Sequence, residues 1–152
     1  MKLKNRIAII TGGGKGIGAE LSLKLASEGA KIIIAEMDVP NGEITAKKIR
    51  ENNGEAIVIK TNVADEDSVN NMANEAINVF GKIDILINNA GTRHINNILD
   101  HTKQQWDDML SVNLTRPYLC CKAVIPHMIN GGKGKIINFG SIASFMGRPD
   151  RV

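Results

Sequence analysis

Glycine is concentrated in one short stretch near the amino terminus, between an apolar run at 7–10 and a helical pattern. The stretch reads Thr11-Gly-Gly-Gly-Lys-Gly-Ile-Gly18. Such a turn lets the backbone approach a pyrophosphate closely, and the following helix supplies N–H groups and a positive dipole. The spacing differs from the commoner G-x-G-x-x-G fingerprint, and no Lys-Ser or Lys-Thr closes it as a P-loop requires. The stretch predicts a nucleotide-binding turn, with a plain glycine-rich loop as the alternative.

An acidic residue stands where a nucleotide-binding turn needs one. Glu36 follows the apolar run at 32–35, and a carboxylate about 20 residues after such a turn binds adenosine ribose hydroxyls. Its charge repels a 2′-phosphate and therefore favours NAD. Lys15 in the turn favours NADP, because a cation there can pair with that phosphate. We expect NAD to be preferred, since a strand end is rigid and a lysine side chain is flexible, and NADP stays possible.

Five apolar runs are the strands expected to position these residues. They are continuous and rich in β-branched residues, as in parallel strands buried on both faces. The runs cover 7–10, 32–35, 56–59, 83–87 and 136–139. Helical patterns separate them, so the order is strand–helix repeated four times and then a fifth strand. This order predicts an α/β fold with a Rossmann-type doubly wound parallel sheet.

The four helical patterns differ in how clearly their ends are marked. In the first, Ile17, Leu21 and Leu25 recur every four residues. The third, around 69–80, has Asp65 as candidate cap and Gly81 as stop. The second and fourth are predicted around 44–52 and from about 102 to 128. One face of the fourth pattern carries Trp106, Met109, Leu110 and Leu114.

Size, charge and composition exclude several classes of protein. The 152 residues, 43% hydrophobic and 23% charged, predict a single domain spanning 1–152. The net charge of +3 and an aromatic content of 3% predict no nucleic-acid partner. The apolar runs are shorter than the roughly 18 residues of a membrane span, so we expect a cytoplasmic chain without a membrane partner.

The cysteines and histidines predict neither a disulfide framework nor a metal site. Cys120 and Cys121 are adjacent and cannot join distant segments, so small packing residues are expected. His94, His101 and His127 have no carboxylate or cysteine partners at metal-ligand spacing. His94 lies where it could reach a substrate, although a solvated loop histidine is the commoner case.

Three further groups of residues make the sequence resemble one family. Asn88-Asn89-Ala90-Gly91 follows the fourth run, Asn113 lies in the fourth helical pattern, and Ser141 follows the fifth run. Together with the glycine turn, this set resembles the short-chain dehydrogenase/reductase family, in its oxidoreductase branch. The resemblance runs from about Lys4 to the last residue. It implies an NAD(P)-dependent enzyme that interconverts a secondary alcohol and a ketone by hydride transfer, with a small-molecule substrate.

The resemblance also implies roles for individual residues. Glu36 would bind the adenosine ribose, and Ser141 would donate a hydrogen bond to the substrate oxygen. Asn62-Val63 matches an Asp-Val pair that brackets the adenine, and Asn62 keeps an acceptor but lacks the charge. The pyrophosphate side and the wall beside the cofactor would be formed by Gly12, Lys15, Gly16, Ile17, Gly18, Asn89, Ala90 and Gly91.

Asn113 would act through its backbone oxygen, which in the family holds a water that relays protons to the catalytic lysine. Pro117 has no N–H and cannot bond the carbonyl of Asn113, four residues back. We therefore predict an irregular helix here, with that carbonyl directed toward the cofactor cleft.

The sequence departs from the family at its catalytic Tyr-x-x-x-Lys motif. Counted from Ser141, that tyrosine would fall two positions beyond Val152. Tyr118, the one tyrosine of the sequence, and Lys122 precede Ser141, so we expect an ordinary helical pair. We expect a carboxyl-terminally incomplete domain that is inactive alone and lacks the family's last strands and helices. A non-catalytic dinucleotide-binding fragment or pseudoenzyme is the alternative, and the complete protein is expected to form a homo-oligomer.

Overall fold

A computed structural model of the chain describes residues 1–93, 95–142 and 145–147. The strands are β1 (Ile7–Thr11), β2 (Lys31–Glu36), β3 (Ala56–Lys60), β4 (Ile85–Asn88) and β5 (Lys135–Asn138). The helices are α1 (Gly16–Ser27), α2 (Val39–Glu51), α3 (Glu66–Phe80), α4 (Lys103–Leu110) and α5 (Arg116–Asn130). A short 3₁₀ turn at Ile98–Asp100 precedes α4, and a π-type turn at Ser111–Thr115 joins α4 to α5.

All paired strands are parallel, in the order β3-β2-β1-β4-β5. The chain builds outward from β1 to β3 and then crosses to the other side of β1 to add β4 and β5. The crevice in such a sheet lies at the carboxyl ends of β1 and β4, where the strand order reverses. The predicted Rossmann-type sheet is confirmed.

The continuous apolar strands are buried because helices cover both faces of the sheet. Successive side chains of a strand point to opposite faces. In β1, Ile7 and Ile9 belong to a core cluster with residues of α3 and α5. Ala8 and Ile10 belong to a second cluster with residues of α1 and α2. Each fully buried isoleucine of this kind stabilises the fold by about 1.5–3 kcal/mol.

Side-chain caps set where most helices begin. Asp65 caps α3, and Gly81 ends it with a left-handed φ of 75°, as predicted. Helix α2 begins at Val39 and not near residue 44, because the Asp38 carboxylate accepts the Asn41 N–H and Pro40 occupies the first turn. Of the helices that follow a strand in the described residues, α1 alone has no side-chain cap.

Three of the predicted apolar patterns are partly or mostly exposed. Ile17 is 63% exposed, whereas Leu21 and Leu25 of the same pattern pack against the core beside the buried Gly18 and Ser22. β5 is mostly exposed, since it is the outer strand of the described sheet. The predicted apolar face of the fourth helix is also largely open, with Trp106 46% and Leu114 66% exposed.

Ion pairs join elements that are distant in sequence. Asp84, just before β4, accepts hydrogen bonds from Arg6 at 2.7 Å and the Ile7 N–H at 3.0 Å, and it pairs with Lys82 at 2.7 Å. Burial alone raises the pKa of Asp84, but these three partners outweigh it and hold the pKa below its ordinary value. The amino ends of β1 and β4 are thereby tied together.

The tyrosine and the cysteines of α5 have the ordinary structural positions that the sequence predicted. Lys122 pairs with Glu66 of α3 at 2.7 Å, which raises the pKa of Lys122, while Tyr118 is 60% exposed. Their spacing on a helix surface is thus that of an ordinary pair. Cys120 is buried in the core, and burial raises the pKa of its thiol to about 12. No described helix is long and apolar enough to cross a membrane.

Candidate functional site

A cleft of about 350 Å³ opens at the carboxyl ends of β1 to β4. Most of the predicted cofactor residues line it together. These are Gly12, Lys15, Glu36, Asn62, Val63, Asn89, Ala90 and Gly91. Larger hollows lie elsewhere, including one of about 760 Å³ at the opposite end of the sheet. The smaller cleft is the candidate site, because ligands of doubly wound sheets bind outside the carboxyl ends of the strands.

The glycine turn between β1 and α1 is shaped by three of its glycines. Gly12 and Gly16 have left-handed φ values of 64° and 51°, which glycine adopts without cost. A Cβ on Gly18 would overlap the carbonyl oxygen of Gly12, so only glycine lets α1 start this close to the turn. No described atom lies within 4 Å of where a Cβ on Gly16 would stand. The turn therefore presents bare backbone to open space.

The amino terminus of α1 fits an anion. The first N–H groups of a helix have no intrahelical partner, and the side chain of Lys15, at the cap position, makes no capping hydrogen bond to them. The first turn of α1 also contains no acidic residue. Uncapped N–H groups beside bare glycine backbone are the donor set that a pyrophosphate requires.

Thr11 and Asn89 lock the loops after β1 and β4 together. The Thr11 Oγ1 accepts the N–H groups of Asn89 and Ala90, each at 3.1 Å. The Asn89 amide donates to the carbonyls of Thr11 and Gly12 at 3.0 and 3.2 Å. Asn89 thus fixes the glycine turn as well as lining the cleft. The sequence predicted only that Asn89 lines the cleft.

Glu36, at the end of β2, holds the neighbouring backbone with both carboxylate oxygens. Its Oε2 accepts the Gly14 N–H at 3.1 Å. Its Oε1 accepts the N–H groups of Met37 and Asp38 at 3.0 and 3.2 Å. The carboxylate therefore connects the glycine turn to the turn that leads into α2, and it lines the cleft where a ribose is expected.

Lys15, the residue that favours NADP, already has an anionic partner. Its Nζ lies 3.0 Å from Oδ2 of Asp38. Hydrogen bonds from Lys15 and then Asn41 hold the pKa of Asp38 below its ordinary value. No sequence signal marks this pair, because 23 positions separate its members and only the packed turns bring them together.

Asn62 and Val63 follow β3 and line the far wall of the cleft. The Asn62 Oδ1 accepts the Ala64 N–H at 3.1 Å, and the Asn62 N–H donates to Ser68 at 2.9 Å. These bonds fix the turn into α3. A carbonyl oxygen has two lone pairs, so Oδ1 retains one for an amine.

A second cleft, of about 540 Å³, contains both predicted catalytic residues. Asn113 and Ser141 line it, and it shares Asn89–Thr92 with the first cleft. Ser141 lies three positions beyond the end of β5 and not directly at it. The two clefts are therefore parts of one groove along the carboxyl edge of the sheet.

Asn113 fixes the helix to the loop after β4. Its Oδ1 accepts the Thr92 N–H at 3.1 Å, and its Nδ2 donates to the Thr92 carbonyl at 3.0 Å. The predicted irregularity is present as the π-type turn, in which the Arg116 N–H bonds the Ser111 carbonyl, five residues back. Such turns are frequent at functional sites.

The sequence also missed residues of the first cleft, including Met37, Thr61, Thr92, Val112 and Arg116. Arg116 is the most informative, because its Nε is buried and has no hydrogen-bond partner in the described structure. No motif marks it, since its orientation depends on the π-type turn.

His94 lies outside the described residues. Within the described ranges, no group of three His, Cys, Asp or Glu side chains could hold a metal ion.

Comparisons with known proteins agree with this geometry. The model of the short chain dehydrogenase family matches residues 6–152. An uncharacterized oxidoreductase of Thermotoga maritima is 38% identical over 97% of this chain and 58% of its own length. A 3-oxoacyl-[acyl-carrier-protein] reductase of Staphylococcus epidermidis is 35% identical over 97% of this chain and 61% of its own length.

Solved structures match the whole described fold. NAD⁺-bound xylitol dehydrogenase has a TM-score of 0.95 and 31% identity, covering 99% of this chain and 58% of that one. A metagenomic short-chain oxidoreductase in complex with NADP has a TM-score of 0.92 and 31% identity, covering 99% and 69%. The chain spans about three-fifths of the length of the curated relatives it matches. It belongs to the short-chain dehydrogenase family.

Proposed function

We propose that the protein is an NAD(P)-dependent oxidoreductase that interconverts a secondary alcohol and a ketone. The observation that carries this proposal is the groove at the carboxyl edge of the sheet. One half is lined by Glu36 and Asn62 and begins at the glycine turn. The other half is lined by Asn113 and Ser141. A dinucleotide needs two such connected halves, one for adenosine and one for nicotinamide beside the substrate.

The first half would hold the adenosine and the pyrophosphate. Gly16, Ile17 and Gly18 begin α1, and their N–H groups would bind the pyrophosphate. Glu36 would accept a ribose hydroxyl, and Asn62-Val63 would contact the adenine. Asn89, Ala90 and Gly91 would line the passage to the second half, which the hydrogen bonds of Thr11 keep in place.

The second half would bind the substrate. A bound nicotinamide supplies hydride transfer to or from the substrate carbon. Ser141 would donate a hydrogen bond to the substrate oxygen, where negative charge develops on reduction of a ketone. Asn113 would position the loop after β4 through Thr92, and its backbone carbonyl would hold a water for proton relay.

We propose NAD as the preferred cofactor. Glu36 would bind the adenosine ribose, and Asp38, whose backbone N–H donates to Glu36, adds a second carboxylate nearby. Two carboxylates against the single ammonium of Lys15 disfavour a 2′-phosphate. The solved relatives include one structure with NAD⁺ and one with NADP, so cofactor choice follows from local residues rather than from the family.

A second candidate is dinucleotide binding without turnover by these 152 residues. Tyr118, the one tyrosine of the sequence, favours this candidate because its side chain is exposed on α5. Lys122, four residues later, forms an ion pair with Glu66. Without a tyrosine as general acid, proton transfer would lose about 10²–10⁴-fold in rate.

An assay for reduced nicotinamide with a panel of secondary alcohols separates the two candidates. The 152-residue chain is compared with the same chain joined to the remaining carboxyl-terminal part of the Thermotoga relative. We expect turnover by the fusion and none by the chain alone. A Ser141→Ala fusion is the matched control and should lose activity. Turnover by the chain alone within about tenfold of the fusion would contradict the assignment of the proton donor.

We also propose that the complete protein forms a homo-oligomer. The exposed apolar residues Trp106, Leu110 and Leu114 lie along α4 and the π-type turn. Residues spaced four apart lie on the same face of a helix, and a large exposed apolar patch marks a site of protein interaction. Light scattering on the fusion tests this, and a monomer would contradict it.

A further inference from the structure

The Arg116 side chain brings to the first cleft a charge that the protein itself does not neutralise. Arg116 is the first residue of α5 and lines that cleft. Its Nε is buried and makes no hydrogen bond in the described structure, and no ion pair among the described residues includes its guanidinium. A buried donor without a partner is costly, and a buried charge more so. The partner of this guanidinium is therefore to be sought in a ligand of the cleft.

The register of α5 puts Arg116 on the same side of the sheet as Asn62 and Val63. Arg116 precedes Cys120 by four residues, and residues four apart lie on the same helix face. Cys120 belongs to the core cluster that also contains Val63 and residues of α3. The glycine turn leads into α1, which packs on the opposite face of the sheet. Arg116 therefore belongs to the wall where the adenine is expected and not to the pyrophosphate end.

The acidic groups of the cleft and of the adjoining helix have other partners. At the start of α3, Asp65 accepts a backbone N–H of the first turn at 3.1 Å, and Glu66 pairs with a lysine of α5 at 2.7 Å. Glu36, which also lines the cleft, accepts three backbone N–H groups. Position 62 is a neutral asparagine. None of these groups pairs with Arg116 in the described structure, which leaves the guanidinium to a ligand.

We propose that Arg116 binds the adenine ring by laying the plane of its guanidinium against one face of the base. The proposal rests on the dinucleotide site proposed above and adds to it a binding residue from α5. A guanidinium is planar and weakly hydrated, and nucleobases stack on it as they do on aromatic side chains. Because Asn62 is neutral, its hydrogen bond to the adenine amine is weaker than that of a carboxylate. Stacking on Arg116 strengthens the binding of the same base.

The test uses ADP and inorganic pyrophosphate, which share the two phosphates and differ in the adenosine. Calorimetry measures the affinity of ADP for the 152-residue chain, Arg116→Met and Lys122→Met, and displacement of ADP gives the affinity of pyrophosphate. Methionine keeps an apolar side chain of similar length but lacks the guanidinium. We expect Arg116→Met to weaken ADP binding about 5- to 30-fold and pyrophosphate binding by less than about twofold. Lys122→Met removes one positive charge from the exposed surface of the same helix and should leave both affinities unchanged.

A second variant, Arg116→Lys, separates charge from shape. Lysine keeps the positive charge but has no plane to lay against the base, so ADP should bind this variant more weakly than the parent chain. Thermal unfolding accompanies each titration. Arg116→Met should melt no lower than the parent, because the substitution removes a buried donor that has no partner. A lower melting temperature would mean that the guanidinium supports the fold, which contradicts the proposal.

The remaining outcomes overturn different statements. Unchanged ADP affinity in Arg116→Met would refute the proposal. Equal weakening of ADP and pyrophosphate would assign Arg116 to the phosphates and would also refute it. An Arg116→Lys chain that binds ADP as tightly as the parent would mean that charge suffices without stacking. If neither probe binds the unsubstituted chain, the dinucleotide site itself is wrong, and the role of Arg116 is wrong with it.

Discussion

Replacing Glu36 with alanine tests how one carboxylate serves both the glycine turn and the ribose. A carboxylate offers about four lone-pair positions. Backbone N–H groups of Gly14, Met37 and Asp38 occupy three of them at 3.0–3.2 Å. About one position is left for a ribose hydroxyl unless a backbone bond is given up.

The expected magnitude follows from that count. One hydrogen bond to a charged group contributes about 1.5–3 kcal/mol, so Glu36→Ala should weaken NAD binding about 10- to 100-fold. NADP binding should weaken less, because its 2′-phosphate is also freed from a repulsive charge. The ratio of the two affinities should therefore narrow.

Calorimetric titration of both cofactors against the parent chain, Glu36→Ala and Glu36→Gln measures this. Glutamine keeps the length and one acceptor but lacks the charge, so it separates charge from shape. Thermal unfolding of each variant checks that the glycine turn is folded. NAD affinity within threefold of the parent in Glu36→Ala, or equal weakening of NAD and NADP, would refute the reasoning.

Three further substitutions test the supports of the groove. Gly18→Ala should abolish detectable nucleotide binding, because the added Cβ would overlap the glycine turn. Gly81→Ala, at a position with φ 75° and no close neighbour, should lower stability only. Calorimetry and melting curves compare the two variants, and equal losses of nucleotide binding would contradict this prediction. Asn113→Ala should speed hydrogen exchange of the Thr92 amide, which loses its acceptor, and unchanged exchange by NMR would count against the clamp. Asp84→Asn should lower the free energy of unfolding by about 1–3 kcal/mol near neutral pH. Since the folded pKa of Asp84 lies below its ordinary 3.8, its contribution is present above that value and disappears as pH falls through the folded pKa. Urea unfolding across pH measures this, and a difference that grows in acid would contradict it.

Regular elements were predictable because their signals are local. Continuous β-branched runs indicated β1 to β4, and Asp65 and Gly81 marked the ends of α3. The start of α2 was missed because the prediction followed the apolar pattern, which begins near residue 44, although Asp38 and Pro40 are a local start signal.

The parts of the site that the sequence did not predict depend on contacts between distant segments. The Lys15–Asp38 pair exists because the glycine turn packs on α2. Arg116 lines the cleft because a π-type turn adds a residue to the helix and rotates the positions that follow. Neither spacing nor composition carries this information.

The central claim is that a dinucleotide binds at the carboxyl edge of the sheet, and NMR titration of the chain with NAD tests it most directly. We expect chemical-shift changes at the amides of Gly12, Gly16, Glu36 and Gly91, which surround the first cleft and the glycine turn. Gly29 and Gly54, which line the larger hollow at the opposite end, should be unaffected and serve as internal controls. Shifts confined to Gly29 and Gly54, or no shifts at millimolar NAD, would contradict the account.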